Sequence, residues 1–226
     1  WENYKYTDEI RIQHPTTQLV LSKEIEGQNL EFGVDPKKEY KNSINSQLLC
    51  IANGLTKVKT KYVCIVRSDF HFNNDNLKKL YQEHLKHNYD KEFRIFEKPI
   101  LIPFWGSVNS YKNPISRSPN FPFHPSDMFH FGLTKDLNLY FDTPLMSNID
   151  LQYFLHNPRG TSKSLKIYDN GYLCRYLPEQ YIFVSFLKRN GILSQSEFIN
   201  MEDSPERYKE LSHKLIINNF FMVNFR

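Results

Sequence analysis

Two kinds of apolar pattern alternate along the chain. Ile44, Leu48, Ile51 and Leu55 recur at helical spacing, which predicts an amphipathic helix with Ser43 at its N-cap and Gly54 near its end. A tight link leads to an uninterrupted apolar run from Tyr62 to Val66, which predicts a fully buried strand of a parallel sheet. Leu77, Leu80, Tyr81 and Leu85 form a second helical face within 76–87, with Asn74 or Asp75 as cap. Short strands are expected at 18–22 and 30–34, and again at 93–96 and 99–104, with a helix at about 134–141. Pro178 and Glu179 open a well-marked helix that buries Ile182, Phe183, Phe186 and Leu187 and stops at Asn190-Gly191. A last helix is expected from Ser204-Pro205-Glu206 to about Lys214, followed by an apolar strand or tail over 215–223. Helices alternating with short buried strands predict one α/β domain, a mostly parallel sheet flanked by helices.

Composition narrows this picture. A chain of 226 residues can bury one sizeable core. Its 14 Tyr and 18 Phe serve both as core filler and as stacking surfaces for bases or sugar rings. A net charge of +4 suits anionic substrates or an anionic membrane surface, and is too small and too evenly spread to argue for nucleic acid. Cys50, Cys64 and Cys174 lie far apart among apolar neighbours and read as buried free thiols of a reducing, cytoplasmic compartment. No apolar run reaches the length of a membrane span and no signal-peptide pattern is visible. The sequence opens on Trp1 rather than Met, so a preceding segment is expected. The loop at 106–125, rich in Ser, Asn, Pro and aromatics, is long enough to be functional or disordered, and 157–164 is a polar loop.

Candidate chemistry gathers at three places. The group Arg67, Ser68, Asp69 and His71 follows the Tyr62 strand directly, at the strand end where open α/β sheets bind ligands. Asp69 with His71 two residues on can place two ligands on one side of an extended segment and hold a divalent cation, Mn or Mg. The plain alternative for Asp69 is the start of a turn into the next helix. The second place is the 123–132 stretch, with His124, Asp127, His130 and Gly132; the third is Pro178-Glu179-Gln180. Together they hold the parts needed for group transfer from a nucleotide-activated donor. Arg67, and Asp69 through a cation, would neutralise a leaving diphosphate. Glu179 would take the acceptor's proton if burial raises its proton affinity against the helix dipole, or it is an ordinary helix N-terminal charge. Asp127, an acid in an otherwise apolar run, binds acceptor hydroxyls, replaces Glu179 as base, or caps a turn. His124 and His130 are acceptor contacts or core histidines, and Gly132 permits close backbone approach or simply turns the chain. Asn45 and Gln47 could read a base or ribose, or decorate the surface.

The order Asn45-Ser46-Gln47, Gly54-Leu55, Tyr62-Val63, Arg67-Ser68-Asp69, Ser126-Asp127, Phe131-Gly132 and Pro178-Glu179-Gln180-Tyr181-Ile182 resembles the WavE-like lipopolysaccharide-synthesis family. The likeness runs from about Leu19 to the end. That family looks like GT-A glycosyltransferases of bacterial surface polysaccharides. The resemblance implies a single GT-A-like (Rossmann-related) domain over 1–226, with 1–105 as nucleotide-sugar-binding half and 106–226 as acceptor-binding half. It also implies that Arg67-Ser68-Asp69 stands in for an Asp-x-Asp metal motif, with Asp69 the matching carboxylate, and that Glu179 is the helix-borne catalytic acid residue.

The expected function is transfer of a sugar, with inversion, from a nucleotide-sugar to a hydroxyl of a glycan or lipid-linked glycan of lipopolysaccharide or capsule, peripheral to the inner membrane. The expected site comprises Glu179 and Asp127 in catalysis, Asn45, Gln47, Arg67, Ser68 and Asp69 for the donor, His124, Asp127 and Gly132 for the acceptor, and Asp69 with His71 for metal. The alternatives are a sugar-phosphate or nucleotidyl transferase and a non-catalytic glycan-binding relative.

Overall fold

The computed structural model describes residues 43–67, 76–104, 122–157, 174–201, 203 and 206–223, and single positions at 12, 16, 18, 20 and 22. Of the strand expected at 18–22, positions 18, 20 and 22 are described and carry no strand assignment; the strand expected at 30–34, the caps Asn74 and Asp75, and nearly all of the 106–125 and 157–164 loops lie outside the described residues. Within them the order is α1 (Ile44–Leu55), β1 (Tyr62–Val66), α2 (Leu77–His84), β2 (Ile100–Pro103), β3 (Phe129–Leu133), α3 (Thr134–Phe141), α4 (Asn148–Leu151), α5 (Tyr153–His156), α6 (Pro178–Arg189), α7 (Glu206–Asn219) and β4 (Phe220–Val223).

The four described strands form one sheet in the order β1-β3-β2-β4. β3 pairs antiparallel with both neighbours, and only β2 and β4 pair in parallel. The sheet is therefore mixed, which corrects the mostly parallel expectation. The helix-strand alternation suggested parallel pairing, but β3 follows the 122–128 segment and enters reversed between β1 and β2. By the same pairings β1, β2 and β4 run one way, so their carboxyl ends and the start of β3 share one edge. Strands before and after residue 106 interleave in this one sheet.

β1 is also not fully buried. Its residues alternate between half-buried and exposed, because among the described strands it has β3 on one side only. Val63 and Ile65 face the main core while Tyr62 and Val66 remain 37 % and 44 % exposed. Cys50 and Cys64 are likewise exposed, and of the three free thiols only Cys174 is buried. An apolar run shows that a strand is hidden on one face; it does not show how many neighbours the strand has.

Period-2 alternation divides the sheet's side chains between two layers. On one side Ile100, Ile102 and Phe220 pack with Ile44 and Leu48 of α1, Leu137 and Tyr140 of α3, Phe183 and Phe186 of α6, and Leu215 of α7. On the other, Leu101, Phe129 and Val223 pack under Tyr81 of α2. α7 runs past Lys214 to Asn219, because Tyr208, Ser212, Leu215, Ile216 and Asn219 are buried at helical spacing while Ile217 is exposed. The expected strand at 93–96 is irregular chain. Asn219 supplies its hydrogen bonds, accepting from the Ile95 and Phe96 N–H groups at 2.7 and 3.2 Å and donating to the Phe93 carbonyl at 2.6 Å. Asp136 in α3 holds the next step by accepting from the Glu97 and Lys98 N–H groups at 3.1 and 3.0 Å.

His130 lies within β3 with 1 % exposure, against the rings of Tyr140 and Phe141, and neither of its ring nitrogens is hydrogen-bonded. It is a core histidine. Burial pushes its pKa down to about 3, so between pH 6.5 and about 3 the unfolded chain binds a proton that the native state does not. Stability is fully present above that window and falls as pH drops through it, by on the order of 1 kcal/mol per pH unit. His130→Leu removes both the unmet nitrogens and this acid sensitivity. The variant is expected to melt a few degrees higher at pH 7, with a wider gap at pH 5; equal melting temperatures at both pH values would contradict the assignment.

Candidate active site

At the shared edge of the sheet, four segments converge. The Arg67 N–H donates to the Met128 carbonyl at 3.2 Å, extending the β1–β3 ladder by one step and setting Arg67 beside the Asp127–Met128 link. Upstream, Phe123 adopts φ +57, the left-handed region that a bulky residue rarely enters. The turn is over-determined by its surroundings. The Phe123 N–H donates to Ser212 Oγ at 2.6 Å, its ring packs on Phe183, Phe198 and Tyr208, and Gln180 Nε2 donates to the Pro122 carbonyl at 2.8 Å. Gln180 Oε1 also accepts from the Leu177 N–H at 3.3 Å, so one buried side chain ties the start of α6 to the 122–128 segment.

This bracing turns His124 toward the mouth of α6, where its Nε2 lies 3.3 Å from Glu179 Oε2. The His124 side chain is 8 % exposed and that of Glu179 22 %, so the imidazole is enclosed while the carboxylate keeps an open edge. On the far side, Gln47 of α1 donates from Nε2 to Asp127 Oδ2 at 3.1 Å.

The two carboxylates are displaced in opposite directions. Burial, then the negative charge of Glu179, hold Asp127 above the usual carboxylate range, against the Gln47 hydrogen bond and the charges of Arg67 and His124. Burial also raises Glu179, but the hydrogen bond and charge of His124, the backbone N–H donation at the helix start and the charge of Arg67 outweigh it, leaving Glu179 below its usual value. The raised proton affinity on which the base role at Glu179 is conditional is not found; the direction is downward. Tyr140 lies behind both: burial, with the charges of Asp127 and Glu179, pushes its phenol well above the ordinary value. Nothing in the sequence distinguishes Tyr140 from other core aromatics on α3.

A family model described as WavE lipopolysaccharide synthesis matches residues 8–226. The chain belongs to the WavE family. Membership implies a role in lipopolysaccharide synthesis. No curated protein and no solved structure matches it.

In this WavE chain Gln47, Arg67, His124, Asp127 and Glu179 come together, and two other candidates do not join them. Asn45 is 1 % exposed and its amide is closed onto one residue, donating to the Met146 carbonyl at 2.8 Å and accepting from the Met146 N–H at 2.6 Å. It braces α1 to the chain before α4. Gly132 pairs with Val63 inside β3, about 10 Å along the strand from Phe129. An added Cβ there would make ordinary contact with Ile100 at 3.6 Å. Ser68, Asp69 and His71 lie outside the described residues. Among the described residues no group of three or more His, Cys, Asp or Glu could hold a metal ion, so no step is derived through one. No helix among them is long and apolar enough to cross a membrane.

Proposed function

We propose that this chain is a GT-A-like glycosyltransferase of lipopolysaccharide or capsule assembly, moving a sugar from a nucleotide-sugar to an acceptor hydroxyl. The observation that carries the reading is the pair Asp127 and Glu179, drawn from remote segments to the sheet edge and displaced in opposite directions by one shared environment. Two acids whose proton affinities are pushed apart divide into a proton-handling group and a permanently charged one.

Asp127 is assigned as general base, since its raised proton affinity suits accepting a hydroxyl proton near neutral pH. Glu179, held ionised by His124, is assigned to acceptor hydroxyls and to keeping the imidazole oriented. Gln47 fixes the Asp127 carboxylate, and Arg67 at the carboxyl end of β1 meets the departing diphosphate. Asp69 with His71 remains the proposed seat of Mn or Mg, which would add charge neutralisation at the same leaving group. A base facing the leaving group across the sugar implies direct displacement and inversion at the anomeric carbon.

A panel of nucleoside diphosphates and nucleotide-sugars, screened by thermal shift with and without manganese, tests the reading. At least one is expected to raise the melting temperature, because binding to the native state alone stabilises it. That donor, incubated with a lipopolysaccharide acceptor, is expected to give a product of inverted anomeric configuration by NMR. A chain that responds to glycans and to no nucleotide would be a glycan binder, and phosphate retained in the new linkage would make it a sugar-phosphate transferase.

A further inference from the structure

The α2 side of the sheet carries a separate feature. Between α2 and the N-terminal end of β1 lies a cavity of about 360 Å³, lined by Tyr62, Leu77, Lys78, Tyr81, Gln82 and Phe131, within the size range of ligand clefts. Its walls are largely aromatic. The Tyr62 ring lies nearly parallel to Phe131 at 6.1 Å and meets Tyr81 edge-on at 5.9 Å. Its rim is basic. Lys61 Nζ stands 5.7 Å over the Tyr62 ring, Lys57 and Lys59 precede it, and Lys78, Lys79 and Lys86 lie on or just beyond α2, all of them exposed.

Charge is concentrated here. Across 56–62 and 76–87 these lysines are accompanied by one acid, Glu83, a larger positive excess than the +4 of the whole chain. Among the described residues none of them is in an ion pair. Asp136, whose charge reaches Tyr81, is already bonded to the Glu97 and Lys98 N–H groups. A solvated basic face would be ordinary; a basic face ringing an open aromatic cavity has two complementary halves, one for anions and one for apolar matter.

We propose that this face docks the protein on an anionic lipid surface. The lysines meet head-group phosphates with their stems laid along the apolar rim, and Tyr62 with the cavity sits at the head-group level that aromatic side chains favour. The docking end of β1 is about 17 Å along the strand from Arg67, so a bound membrane leaves the carboxyl edge of the sheet free. This goes beyond the transferase reading and does not depend on it, because lipid binding is measured without turnover.

The test is co-sedimentation of the full chain with vesicles of phosphatidylglycerol mixed into phosphatidylcholine, against phosphatidylcholine alone. Sedimentation is expected with the anionic vesicles only, and is expected to fade as salt is raised to 0.5 M, on the order of the change expected for screened surface charge. Lys61→Gln/Lys78→Gln should weaken binding by about 30-fold, while Lys91→Gln/Lys209→Gln, with the same change in net charge at and near α7, should weaken it little. Thermal melts of both variants check folding, and the salt titration of the unmodified chain stands without them. Equal sedimentation with both vesicle types, none with either, or equal loss in the two variants would overturn the proposal. So would binding of a soluble anionic polysaccharide together with failure to bind vesicles.

Discussion

Asp127→Asn is expected to lower turnover by about 10²–10⁴-fold, the usual contribution of a positioned general base, while leaving nucleotide-sugar binding measurable by thermal shift. The change is nearly isosteric, and an amide can still meet Gln47, whose Nε2 now reaches Asp127 Oδ2 at 3.1 Å. What it removes is the ability to take a proton. The sign of the pH dependence follows from the environment. A base must be unprotonated to act, and Asp127 is held above the ordinary carboxylate range by burial and by the charge of Glu179. The acid limb of the kcat/KM profile is therefore expected above that range.

Two neighbours should move that limb in opposite directions. Glu179→Gln removes a negative charge that raises Asp127, so the limb shifts to lower pH and a much larger share of turnover survives than in Asp127→Asn. His124→Gln removes a positive influence that lowers both acids, so the limb shifts to higher pH. The profile thus separates a base from a charged companion more sharply than loss of rate alone. Abolition of turnover by Glu179→Gln, with near-normal turnover in Asp127→Asn, would exchange the two roles.

How far this site could be read from the chain depended on whether the signal was local. α6 is spelled out by Pro178, Glu179 and the Asn190-Gly191 stop, with Gly191 at φ +71 as the ending requires, so Glu179 at a helix mouth was legible. An acid in an apolar run is a local anomaly too, and Asp127 is indeed half-enclosed and hydrogen-bonded. Proton affinity is not local. Whether Glu179 is raised or lowered depends on His124, which lies 55 positions away and is turned inward by a left-handed Phe123 that no residue type announces. Strand direction is similarly remote from composition: Phe129–Leu133 is apolar in either orientation, and only its partners make it antiparallel. Asn45 and Gln47 are two positions apart on α1 and looked alike in sequence. Helical rotation puts the first against Met146 in the core and the second against Asp127.

Asn219→Leu is expected to be strongly destabilising although it lies outside the site, and its logic is that of the missing strand at 93–96. The Asn219 side chain is fully buried and makes four hydrogen bonds. It accepts from Ile95 and Phe96, and it donates to Phe93 and, at 2.8 Å, to the Leu215 carbonyl of its own helix. Leucine is close in size, so cavity formation is minor. The loss is that three main-chain groups of 93–96, buried at Phe96 and half-buried at Phe93 and Ile95, give up the partner they have in Asn219. At about 1–3 kcal/mol for each unmet buried group, and with partial relaxation, a cost of roughly 3–5 kcal/mol follows. For a chain of this size that corresponds to a fall of about 10 °C in melting temperature. The segment also carries Phe96, packed at 5.0 Å on Phe186 and 5.9 Å from Tyr140, so its release loosens the core behind the two carboxylates. Ile217→Ser, two positions earlier on the exposed face of α7, is the control and should change stability by less than about 0.5 kcal/mol. A melting temperature for Asn219→Leu within about 2 °C of the parent would mean that 93–96 holds its place by packing alone. Because the side chain touches none of Gln47, Arg67, His124, Asp127 or Glu179, turnover per folded molecule at low temperature should be nearly unchanged, which distinguishes a lost brace from a lost catalytic group.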